Sequence, residues 1–144
     1  MIGFEFKVNK TFLDEPQHPI TIVKHVVPGL KREKFLPQSS LKGNRIPIKV
    51  SGIGPATYSG WIYFGATKKY GQYYQIRFKT TSPTARMGDL RIGDKIWVIF
   101  DKRDGQTHVL LSNWEDKKSF DRFLNHLSKE AAKELLDFLI KQGN

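Results

Sequence analysis

Residues 67–79 read Thr-Lys-Lys-Tyr-Gly-Gln-Tyr-Tyr-Gln-Ile-Arg-Phe-Lys and concentrate side chains that meet polyanions and bases. Lysine ammonium groups neutralise phosphates and release their counterions. A glutamine amide pairs in bidentate fashion with adenine, and an arginine with guanine, in the major groove. The spacing adds direction. Tyr74, Ile76 and Phe78 share one parity and Tyr73, Gln75, Arg77 and Lys79 the other. In a strand, one set faces a core and the other faces outward. Thr67, Lys68, Lys69, Tyr70 and Gln72 then crowd a hairpin tip, where Gly71 supplies a left-handed position.

Catalytic chemistry has less to stand on. The four histidines, His18, His25, His108 and His126, are scattered and sit at no metal-ligand spacing with a carboxylate. Gly52-x-Gly54 lacks the Lys-Ser/Thr that completes a P-loop, and no serine stands in a Gly-x-Ser-x-Gly elbow. Cysteine is absent, which excludes thiolate metal sites, disulfides and cysteine nucleophiles. One order of residues resembles a metal-dependent nuclease: Asp101, then Glu115-x-Lys117, two acids for Mg²⁺ and a lysine to help activate water. Glu115 and Lys117 fall where a helix begins, so a first-turn acid and a solvated lysine are the simpler expectation. No catalytic residue, metal or cofactor is therefore expected.

These residues need a scaffold rich in strands. Phe4, Phe6 and Val8 alternate with Glu5, Lys7 and Asn9, the period of a half-buried strand. Pro16 and Pro19 make 14–19 a loop, and β-branched 20–27 predicts a second strand stopped by Pro28-Gly29. One helical turn is expected at 30–35 and a third strand at 45–50, before Gly52, Gly54 and Pro55 break the chain. Strands follow at 61–66 and 72–80, then a loop at 81–88. Gly93-Asp94 predicts a tight turn ahead of an apolar strand at 96–100. Asp104-Gly105 predicts a hairpin returning through 107–111. The period then becomes helical. Asn113 is a candidate N-cap, Phe120, Phe123, Leu124 and Leu127 form a stripe, and Ser128 caps or continues toward Leu135, Leu136, Leu139 and Ile140. The expected fold is mostly β: a seven-stranded open antiparallel pseudobarrel with one short helical turn and one or two C-terminal α-helices.

The charge is unevenly placed. The 144 residues hold 24 Lys+Arg and 14 Asp+Glu, a net charge of +10. Between residues 16 and 88 there are twelve Lys/Arg, including Lys24, Lys42, Arg45 and Arg86, against Glu33 alone. The rest of the chain is close to neutral. A concentrated positive field attracts a polyanion. A hydrophobic content of 39% rules out a disordered basic tail. No apolar run reaches the roughly 20 residues of a membrane span, and residues 1–10 lack a signal-peptide core. An intracellular protein, cytoplasmic or nuclear, with no membrane partner is expected.

The order of elements, the Phe35-Leu36-Pro37 segment and above all Leu90-Arg91-Ile92-Gly93-Asp94-Lys95-Ile96-Trp97-Val98-Ile99-Phe100 resemble a known family. They look like the DNA-binding pseudobarrel of plant B-three transcription-factor domains, also used by effector domains of certain restriction endonucleases. The resemblance spans roughly residues 4–112. It implies two arms that grip the major groove of double-stranded DNA. The first would comprise Lys7, Asn9, Lys10, Thr11, Gln17 and His18, and the second Thr67, Lys68, Lys69, Tyr70 and Gln72. Lys24, Tyr73, Gln75, Arg77 and Lys79 complete the expected surface. The expected organisation is a pseudobarrel at 1–112 and a helical extension at 113–144 that packs on it or mediates a homodimer. The expected function is sequence-specific binding of duplex DNA, as the target-recognition domain of a restriction endonuclease or as a regulator. A Mg²⁺-dependent nuclease, a single-stranded DNA or RNA binder using Tyr63, Tyr70 and Tyr73, and a barrel that docks an acidic protein are the alternatives.

Overall fold

A computed structural model describes residues 2–37, 44–52, 54–69, 71–80, 90–112, 125 and 128–142. Seven strands form one sheet: β1 (Ile2–Lys7), β2 (Ile20–Thr21), β3 (Arg45–Gly52), β4 (Gly54–Thr67), β5 (Gly71–Phe78), β6 (Lys95–Arg103) and β7 (Gln106–Ser112). Their spatial order is β1-β6-β7-β3-β4-β5-β2. The sheet curls into a nearly closed barrel with one seam, between its edge strands β1 and β2. It is the mostly-β open pseudobarrel expected from the strand pattern. Every pairing is antiparallel except β3 with β7, which run parallel through Lys49↔His108, Val50↔Val109 and Ser51↔Leu110.

Alternation decides which side chains fill the barrel. Ile48 and Val50 on β3, Ile62 and Phe64 on β4, and Tyr74, Ile76 and Phe78 on β5 are buried. Val98 and Phe100 on β6 meet Val109 and Leu111 on β7 in the same core. Each large apolar side chain taken fully from water contributes about 1.5–3 kcal/mol. Two turns show why glycine is needed. Gly52 has φ +102 at a bulge between β3 and β4, and Asp104-Gly105 turns at φ +52 and +77. Both central residues of that hairpin are left-handed, the geometry whose twist matches the flanking strands.

The seam is covered by short helical segments. Asn9 caps α1 (Lys10–Asp14) by accepting a 2.8 Å bond from the Phe12 amide. Fully buried Phe12 then lies 5.4 Å from the Phe6 ring on β1 and 6.4 Å from Phe78 on β5. At the other end, a 3₁₀ turn (Lys24–Val26) leads into α2 (Val27–Arg32). Buried Leu30 accepts a 2.9 Å bond from the Phe35 amide, and the Phe35 ring packs at a tilt 5.7 Å from that of Phe100.

The structure corrects several local expectations. The strand expected at 20–27 is only Ile20–Thr21; the Ile22 amide still bonds the Tyr74 carbonyl at 2.9 Å. Beyond it Val26 turns helical, and Pro28 sits in the first turn of α2, where its missing N–H costs nothing. The helical turn thus starts before residue 30 and ends by 33. β4 is far longer than 61–66, because Gly52 and Gly54 pair across a bulge instead of ending the sheet. α1, which the strand pattern does not signal, lies between β1 and the loop expected at 14–19. The loop at 81–88 and the helix expected from Asn113, with Glu115, Lys117, Phe120, Phe123, Leu124, His126 and Leu127, lie outside the described residues, as do Lys42 and Arg86. The last helix is present as α3 (Lys129–Gln142), with Ser128 Oγ accepting from the Ala131 amide at 3.1 Å. Asp101 accepts from the amides of Lys102 (2.9 Å) and Ser128 (3.5 Å) and from Arg103 Nε (3.4 Å). A metal-binding role for Asp101 would compete with those donors.

Candidate nucleic-acid interface

The outer face of β5 carries the expected polar set. Tyr73, Gln75 and Arg77 are half-buried and Lys79 is exposed, while Tyr74, Ile76 and Phe78 point into the core. Register places β4 residues beside them: Gly65↔Tyr73, Tyr63↔Gln75 and Trp61↔Arg77. The Arg77 guanidinium lies 4.3 Å from the Tyr63 ring centroid, and Tyr63 lies 6.4 Å from Tyr73. On β3, Arg45 lies 5.5 Å over Trp61. Cations and aromatic rings therefore interleave on this face.

A hydrogen-bond chain locks its middle. Arg77 donates through Nε (3.1 Å) and Nη2 (2.8 Å) to Gln75 Oε1, and Gln75 Nε2 donates to Thr21 Oγ1 at 3.1 Å. Gln75 is thus engaged at both ends of its amide. For Gln75 or Arg77 to read a base, these bonds must first be exchanged. Gln72 is exposed nearer the hairpin tip.

The pairing of β2 with β5, Ile20↔Ile76 and Thr21↔Gln75, brings the N-terminal segment alongside this face. Two hollows flank Gln75. One, of about 440 Å³, is lined by Thr11, Glu15, Pro16, Gln17, Pro19, Gln75 and Arg77. The other, of about 710 Å³, lies against Thr21, Lys24, Gln72, Tyr73 and Gln75. So Thr11, Gln17, Lys24, Gln72, Tyr73, Gln75 and Arg77 are gathered on one surface, with Glu15 as the one acid among the described residues that border either hollow. Thr67, Lys68 and Lys69 are exposed at the end of the β4–β5 hairpin, which closes through Thr67↔Gly71 with Gly71 at φ +71. Lys79 lies at the opposite end of β5.

The first arm is only partly available. Lys7, Asn9, Lys10 and Thr11 are exposed, but the Asn9 side chain is occupied in capping α1. His18 is a correction. It is 1% exposed, shares a hydrogen bond between Nδ1 and the Phe12 carbonyl at 2.7 Å, and lies 5.3 Å from the Phe78 ring. Pro19 and the φ +43 of His18 turn that ring inward, so it does not present itself to a ligand. Tyr70 lies outside the described residues. Arg45, Trp61, Thr21 and Lys31, which borders the larger hollow, are not among the expected site residues; for Trp61, parity opposite to Ile62 and Phe64 is the available signal.

No cluster of three or more His, Asp or Glu suited to a metal exists among the described residues. Elsewhere, His108 on β7 is held below the usual histidine pKa, chiefly by burial and then by Arg103; Asp101 opposes this. No helix among the described residues is long and apolar enough to cross a membrane.

No family model matches the chain, and no curated protein matches it. Among solved structures, one described as "Arabidopsis FUS3-DNA complex" is similar to this chain, with a TM-score of 0.49 and 16% identity over 75% of this chain and 93% of that chain.

Proposed function

We propose that this chain binds double-stranded DNA with sequence preference and without catalysis of its own, through the outer face of β5 and the segments beside it. One observation carries the reading. Seven residues from separate segments, Thr11, Gln17, Lys24, Gln72, Tyr73, Gln75 and Arg77, gather on a surface bordered, among the described residues, by a single acid, with Lys68 and Lys69 exposed at its hairpin tip. Lysines supply sequence-independent phosphate contacts, and amides and guanidinium groups supply base contacts. A protruding two-stranded hairpin is narrow enough for the roughly 12 Å major groove. Residues 1–112 would carry the binding and 113–144 a helical extension. Such a module suits the recognition domain of a restriction enzyme or a regulator.

Selection of bound sequences from a random duplex pool tests this. An enriched motif is expected; retention of the pool without enrichment would remove sequence preference from the proposal. A second reading has its own support. Tyr63, Tyr73 and Trp61 offer ring surface on the outer sheet face, as in proteins that stack single strands. Competition between single-stranded and duplex oligonucleotides of one sequence separates the two: displacement by the single strand alone would favour stacking.

A further inference from the structure

The hollow of about 710 Å³ differs in chemistry from the rest of this face. Ile22, Val27, Pro28, Tyr73 and Tyr74 give it an apolar, aromatic lining. Lys24 and Lys31 border it, and no acid does among the described residues. Lys31 Nζ stands 5.9 Å over the Tyr74 ring, which fixes one cation above an aromatic wall. Gln72 is exposed at its edge, whereas Gln75 is tied to Thr21 and Arg77. Its volume lies in the roughly 300–1,000 Å³ range of small-ligand sites, and so does its design, a mainly apolar wall with few polar groups.

We infer that this hollow receives a single nucleotide turned out of the duplex stack, its base against the apolar lining and its phosphate flanked by Lys24 and Lys31. The inference rests on the duplex-binding reading above. Charge complementarity and continuity argue for it: the walls need an apolar planar group, the two lysines need an anion, and Gln72, Tyr73 and Lys24 belong to both surfaces. Gln72 is the amide placed to bond an edge of the base. An unpaired base pays little of the unstacking cost, so it enters such a hollow more readily than a paired one.

The test compares a fully paired duplex with the same duplex carrying a single-base bulge, using the full chain. The bulged duplex should bind about tenfold tighter, a modest share of the cost of opening a paired base. Lys24→Glu/Lys31→Glu, both at exposed positions, and Val27→Trp, which fills the hollow, should each bring that ratio to about unity. A melting temperature for each variant checks that it folds. Lys68→Glu should weaken both duplexes alike. Equal binding of the two duplexes by the unsubstituted chain overturns the inference, and so does a ratio that persists in folded variants of the hollow. Binding of neither duplex overturns the duplex reading instead.

Discussion

His108 shows how one residue carries a measurable consequence. Its burial on β7 and the neighbouring Arg103 and Lys49 disfavour the imidazolium, against the opposing pull of Asp101 and Asp104. Above pH about 6.5 the ring is neutral folded or unfolded and adds no pH slope. Below it, the unfolded chain takes up a proton that the folded chain resists. Stability should therefore fall as pH drops from about 6.5 toward the lowered folded pKa. His108→Gln should flatten that part of the profile, read by chemical denaturation at several pH values; an unchanged slope would remove His108 as the cause. Gly65 is a second case. A Cβ there would run into the Tyr73 ring, at Cζ, Oη and, 2.7 Å away, Cε2. Gly65→Ala should displace that ring while the fold persists. Shifted Tyr73 and Tyr63 ring protons in NMR, with an unchanged far-UV circular dichroism spectrum, are the expected outcome.

Elements depend on a few positions where backbone geometry leaves no choice. Asn9 is one, because it caps the helix that sends Phe12 across the seam. Asn9→Ala should cost about 1 kcal/mol, and Asn9→Ser, which keeps an acceptor, much less. Equal shifts of the denaturant midpoint would show that the cap is not the source. Gly52 is another. It holds φ +102, and a Cβ would strike the Leu111 carbonyl across the β3–β7 edge. Gly52→Ala should destabilise by about 2 kcal/mol or more, since strained backbone alone costs on the order of 1–3 kcal/mol. These two sites also mark where sequence reading stops. The β5 alternation, the Asp104-Gly105 hairpin and the Ser128 cap were legible because their causes are local. α1 was not, since five residues are too short for a periodic signal. The end of β2 was not, since β-branched 20–27 favours strand until Pro28 and the packing of Leu30 override it.

Across the whole molecule, the basic face would act on a polyanion through its summed field rather than through any one side chain. If Lys68 and Lys69 touch phosphates, Lys68→Glu/Lys69→Glu should weaken duplex binding. It should also lower the slope of log affinity against log salt by about one for each phosphate no longer neutralised. Anisotropy titrations over a range of salt measure both. A parallel shift with unchanged slope would take the hairpin tip off the phosphate path.

The charge bias, the two faces of β5 and a strand-rich barrel followed by a helix were determined by the sequence itself, because neighbours along the chain set alternation, turns and caps. Tertiary structure alone decided the rest. Barrel closure set β3 parallel to β7 and put Thr21 against Gln75, fifty-four residues apart. It buried His18 between Phe12 and Phe78, engaged both ends of the Gln75 amide, and opened a hollow between α2 and β5. Each of these depends on which distant surfaces meet when the core excludes water. Local periodicity does not encode that choice, so a histidine that the family resemblance placed in a DNA-binding arm is part of the core.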